Sequence, residues 1–133
     1  MEIYGQYGNI AIKIVENILS EGWKGQNLKE LWDNEAKEDI DNNTSRKKSC
    51  PKNAFLGLCE TGSVLGIPPG YYTDSRDNKN YAVMGLLTLR EKNNSIHSPN
   101  DLWKEVMQKI GKNIEHNQQM NVVLSLWNKY YLR

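Results

Sequence analysis

Residues 51–62, PKNAFLGLCETG, carry the reading on which the fold turns. Pro51 suits the first position of a helix, where its missing N–H costs nothing. Ala54, Phe55, Leu58 and Cys59 then recur at helical spacing and form one inner face. Gly62 ends the run. Upstream, 41–49 (DNNTSRKKS) reads as a polar loop whose charge switches from acidic to basic. Downstream, 66–80 (GIPPGYYTDSRDNKN) reads as a second loop, with Asp74 to Asp77 leading into the next helix.

The same signals recur on both sides. A first helix is predicted from about Asn9 to Leu19, with Ile10, Ala11, Ile14, Val15, Ile18 and Leu19 on one face and Gly22 as its stop. A second starts at the N-cap Asn27, with Glu30 closing a capping box and an apolar stripe of Leu28, Leu31, Trp32 and Ala36. Its other face is acidic: Glu30, Asp33, Glu35, Glu38 and Asp39. Beyond the 51–62 helix, YAVMGLLTL (81–89) is apolar nearly all round, which predicts a buried central helix over about Lys79–Glu91. Ser98-Pro99-Asn100-Asp101 opens another helix with a cap, a first-turn proline and an acid; Leu102, Trp103, Val106, Met107 and Ile110 face inward, and Gly111 stops it. A last helix, Gln118 to Tyr131, follows the N-cap Asn117 and carries Met120, Val123, Leu124, Trp127 and Tyr131. No strand alternation is present, so the expected class is all-α: one compact domain, 1–133, of about six helices, with Trp32, Trp103 and Trp127 buried.

A shift of 71 residues aligns the chain with itself. Ala11 falls on Ala82, Val15 on Leu86 and Ile18 on Leu89; the cap Asn27 falls on Ser98, Glu30 on Asp101, and Leu31-Trp32 on Leu102-Trp103. This suggests two pseudo-repeated helix pairs around a central helix, although any two amphipathic pairs align in some register.

Composition excludes several function classes. The 17 basic and 16 acidic residues leave a formal charge of +1, so only a local patch could serve nucleic acid. Two cysteines are too few for a disulfide-rich secreted scaffold. The first residues lack a basic leader and a small-residue cleavage site, and no apolar run approaches a membrane span. The expectation is a soluble, intracellular, cytoplasmic protein that binds no membrane. No P-loop, dinucleotide fingerprint, HExxH or GxSxG is present. Cys50 and Cys59 are nine apart and the two histidines nineteen apart, neither a zinc spacing. No metal and no cofactor is expected.

Four segments could carry chemistry. Cys50, expected as the N-cap before Pro51, would gain thiolate character from the helix dipole and from Arg46, Lys47, Lys48 and Lys52. As a nucleophile it would need His97 or His116 as base; the plainer reading is an unreactive, partly buried cysteine. The basic run with Lys52 suits a phosphate or other anion at a helix N-terminus, or else a solvated loop, or docking onto the acidic face of the second helix. GIPPGYY presents Tyr71 and Tyr72 on a stiff turn, as contact residues or as covers for the core. HNQQM offers His116, Gln118 and Gln119 to a polar ligand, or is simply a solvated first turn. A helix-turn-helix over Ala54–Pro68 fails, because Pro68 and Pro69 would break the recognition helix.

Taken together, SCPKNAFLGLCETG, GIPPGYYT and HNQQMNVVLSLW resemble an uncharacterised family of small bacterial helical proteins, of the domain-of-unknown-function kind. Its pattern joins an SCPKxAFLGLC block, a GIPxGxYT turn and an HNxQM helix start. This chain departs from it at Pro69-Gly70-Tyr71-Tyr72 in the turn. The resemblance implies no activity, so no residue inherits a role. The leading expectation is a non-enzymatic binding module for a protein or small anionic ligand. Its contacts would be Arg46, Lys47, Lys48, Cys50, Lys52, Tyr71, Tyr72, His116 and Gln119. The rivals are a cysteine-dependent enzyme and a nucleic-acid-associated regulator using the basic loop.

Overall fold

A computed structural model describes residues 2–92 and 95–133. In chain order the helices are α1 (Gly5–Glu21), α2 (Leu28–Asp39), α3 (Asn43–Arg46), α4 (Ser49–Glu60), α5 (Arg76–Lys92), α6 (Pro99–Ile110) and α7 (Gln119–Asn128). Among the described residues there is no sheet, only an isolated antiparallel bridge between Val64 and Leu132. The molecule is therefore all-α. Six of the seven helices are those expected; the seventh, α3, is a single turn inside the predicted polar loop. Asn42 makes it possible, its Oδ1 accepting the Ser45 N–H at 3.1 Å.

The predicted caps form. Asn27 Oδ1 accepts the Glu30 N–H at 3.2 Å and Ser98 Oγ the Asp101 N–H at 3.1 Å. Each satisfies a donor that the first helical turn leaves without a partner. Gly111 ends α6 in the left-handed conformation. Trp32 and Trp103 are buried, while Trp127 is only partly covered at the rim of the core.

The 71-residue shift reappears in the helix boundaries. α1 and α5 are each 17 residues long, and Gly5 and Arg76 are 71 apart; α2 and α6 are each 12, and Leu28 and Pro99 are 71 apart. The repeat also extends further than pairs. α7 starts one residue before the position that corresponds to the start of α4, so α4 is no lone central helix but the third member of one copy, matched by α7. The packing follows the same pairing. α1 lies on α2 and on α7, α5 lies on α6 and on α4, and α4 and α7 touch between them. Each copy thus lays its first helix against the third helix of the other. The two crossings are close. A Cβ on Gly8 would stand 2.2 Å from Ser125 Oγ, and one on Gly57 would stand 2.6 Å from the Lys79 Cα, so bare backbone is needed at both.

Several expectations need correction. α1 begins at Gly5 rather than Asn9, and Leu19 is 46% exposed instead of buried. It sits at the end of α1 against the loop at Gly66, outside the core. α5 is not buried all round: Leu87 is 39% exposed, because α4, α6 and α7 cover only part of its circumference. α4 begins two residues early. Its N-cap is Lys48, which makes Cys50 the second helical residue and Pro51 the third. A proline is tolerated throughout the first turn, since none of those N–H groups has an intrahelical acceptor. Gln118, not Asn117, occupies the N-cap position of α7 without a side-chain cap bond, and the helix stops at Asn128. The chain then turns back through Tyr130, at φ 62°, to reach Val64.

Candidate functional site

The basic segment lies between the C-terminal end of α2 and the first turn of α4. Arg46 is anchored there. Its Nε donates to the Ile40 carbonyl and its Nη2 to the Lys37 carbonyl at 3.1 Å, which satisfies acceptors that α2 leaves open. Lys52 reaches across to Asp33 at 2.8 Å. The segment therefore does dock on α2, through these two residues. Lys37 and Lys47 are exposed and have no ion-pair partner among the described residues. Together with Asn43 and Ser49 these side chains enclose a groove of about 460 Å³, in which Asp33 is the one acid. Lys48 and Cys50 lie outside its lining.

A second depression of about 410 Å³ shares Ser49 and Lys52 with the first and continues past Asn53, Asp74 and Ser75 to Lys29. A third, about 330 Å³, shares Lys29 and ends on Tyr71 and Tyr72. The basic segment and the tyrosine turn are thus brought to one face. Tyr71 is 75% exposed, with its hydroxyl donating to Asp74 at 2.7 Å and the Arg76 guanidinium 5.5 Å from its ring centroid. Tyr72 is half-buried, its hydroxyl on the Pro68 carbonyl and its ring edge-on to Trp23.

Glu60 fixes the turn, a role that was not foreseen from the sequence. It is buried at the end of α4, where Oε1 accepts the Tyr72 and Thr73 N–H groups at 2.8 and 2.9 Å. Arg76 stands 3.1 Å from Oε1 and Lys79 2.8 Å from Oε2. Burial alone would raise its pKa. The Lys79 ammonium, the Thr73 N–H, Arg76 and the Tyr72 N–H outweigh that and hold the carboxyl at about 2. Thr73, fully buried, then donates through Oγ1 to Asn53 Oδ1 at 2.8 Å. One signal was available: an acid in the last turn of an apolar helix opposes the helix dipole and so calls for compensation nearby.

His116 and His97 do not join this face. His116 Nε2 accepts the Met120 N–H at 3.0 Å, so the imidazole itself caps α7. An accepting Nε2 places the ring proton on Nδ1, 3.2 Å from Asn100 Oδ1. The ring lies against Trp103, and burial lowers its pKa to about 4. His97 is exposed beside Asp101. No hydrogen bond joins Cys50 to either histidine among the described residues, and α4 does not touch α6, on which both histidines rest. Cys59 is fully buried, which pushes its thiol up. Gln119 is buried and links, through Asn78, to Ser75 at the edge of the second depression.

The two copies differ at the groove. Ser49, Lys52 and Asn53 correspond to Met120, Val123 and Leu124, all three buried, with Met120 and Val123 packed over Gly85. The indole Nε1 of Trp103 donates to the Ile114 carbonyl at 3.0 Å. Its counterpart in Trp32 has no acceptor among the described residues, because the segment after α2 takes another course, with Asn43, the counterpart of Ile114, lining the groove. At the first turn of α4 the first copy keeps open and polar what the start of α7 packs with apolar side chains.

The chain belongs to the Family of unknown function (DUF6979), whose family model matches residues 4–133. Among curated proteins and among solved structures nothing matches it.

Proposed function

We propose that this member of a family without an assigned activity is a binding module, receiving an anionic group in the groove between α2, α3 and the first turn of α4. One observation carries the reading. Lys37, Arg46, Lys47 and Lys52 converge on one concave site, whereas their counterparts in the other copy, Gln108, Asn117, Gln118 and Val123, carry no charge. The first-turn N–H groups of α4 have no side-chain cap, and they add partial positive charge at the same place. Arg46, held by two backbone carbonyls, supplies a fixed guanidinium; Lys37 and Lys47 supply mobile ammonium groups.

The test is calorimetric titration of the full chain with pyrophosphate at low salt. Measurable binding is expected, weakening as salt rises. The double variant Lys37→Gln/Lys47→Gln should lose at least fivefold in affinity, because both side chains are exposed and their removal leaves the packing intact. Lys104→Glu, on the exposed face of α6 outside the groove, should bind like the parent. Absence of binding, or binding indifferent to the double variant, overturns the site.

A further inference from the structure

Resting on that reading, we infer that the natural occupant is a single-stranded nucleic acid lying along all three depressions, its phosphates over the lysines and an unpaired base on Tyr71. Neighbouring depressions share wall residues, Ser49 and Lys52 and then Lys29, so they follow one another across one face and could together take an extended ligand. The lining of this track holds five cations, Lys29, Lys37, Arg46, Lys47 and Lys52, against two acids, Asp33 and Asp74. That is a local charge of +3 on a chain whose formal total is +1, so the remaining surface is net acidic and repels the same ligand. The complementarity therefore belongs to the track and not to the molecule at large.

A track of spaced cations fits a chain with a charge on every unit better than it fits one compact anion. The aromatic end selects among such chains. Tyr71 is the most exposed aromatic side chain on this face, and the Asp74 hydrogen bond and the Arg76 guanidinium hold it in place. The turn beneath it is fastened by Glu60. A stiffly mounted, solvent-facing ring beside a basic groove is the arrangement on which bases of single strands stack. A duplex keeps its base faces covered and cannot use it. RNA and DNA share this chemistry, a phosphodiester backbone with free bases.

Fluorescence anisotropy of the full chain with fluorescein-labelled twelve-nucleotide oligo(rU) and oligo(dT) tests the inference. Binding by at least one of them is expected at low salt, and comparison of the two identifies the sugar preferred. Lys37→Gln/Lys47→Gln should lower the slope of log affinity against log salt by about 1.4, two contacts at roughly 0.7 each. Tyr71→Ala should weaken binding at least fivefold and leave that slope unchanged. Equal binding of wild type and Tyr71→Ala overturns the inference. So does a duplex of the same length that binds as tightly, or poly-glutamate of matched charge that competes as well as the oligonucleotide. If neither strand binds while pyrophosphate still does, the nucleic acid is wrong and the anion groove stands. If none of the three binds, both readings fail.

Discussion

Glu60 holds its position against two penalties, burial of a charge and an unfavourable end of the helix dipole. Two N–H groups and two cations offset them. In Glu60→Gln the amide oxygen can still accept the 72–73 N–H groups, but Arg76 loses its charge partner and Lys79 faces an NH2 donor, so the variant should cost about 3 kcal/mol in chemical denaturation. The linkage has a definite sign. Glu60's folded pKa lies below its ordinary value, so its contribution is complete above about 4.5 and is lost as pH falls towards 2. His116 adds to this at higher pH. Its neutral form caps α7, and its folded pKa is also depressed, so its contribution is complete above about 6.5 and is lost as pH falls towards 4. Stability should therefore decline in two stages on acidification. His116→Gln should flatten the upper stage and leave the lower one; a pH profile unchanged by either variant contradicts these roles.

At the scale of the helix, packing depends on two glycines where helices nearly touch. Gly57→Ala would place a methyl 2.6 Å from the Lys79 Cα, a backbone atom that cannot step aside. Relief requires separating α4 from α5, which should cost about 1–3 kcal/mol and is read as a lowered denaturation midpoint. A neutral result would mean that the crossing is looser than described. This contact was invisible in the sequence, where Gly57 looks like a weak point inside an otherwise good helix. The helices themselves were legible, since apolar spacing and the caps at Asn27 and Ser98 are local signals. The start of α4 was not, because a first turn accepts proline at several positions and Pro51 does not fix which one. Nor was the role of His116: an imidazole cap depends on how far the 111–118 segment bends back. At the site, the basic side chains were readable as a charge run, whereas the groove they line arises only where α2, α3 and α4 meet.

For the whole molecule, the repeat is interlocked rather than strung in series. Each copy's first helix is covered by the other copy's third, so neither can keep its core without the other. Thermal and denaturant unfolding should proceed as one cooperative transition, with far-ultraviolet circular dichroism and tryptophan fluorescence coinciding. Two separated transitions would show that the copies stand independently. The polar track breaks the repeat on one copy only. The scaffold can tolerate this, because the burial lost at Ser49 and Lys52 is retained at Met120 and Val123.

The contact of α1 with α7 also constrains the order in which the protein can be made. The Tyr4 N–H donates to Ser125 Oγ at 2.7 Å across 121 residues of chain. On the ribosome, α1 emerges first and finds its principal partner last. Until α7 is made, the apolar face of α1 has only α2, α4 and the loop at Gly66 against it. Folding of this domain must wait until α7 has been made, and a nascent chain that stalls before it presents an uncovered apolar face to chaperones and proteases instead of a finished half.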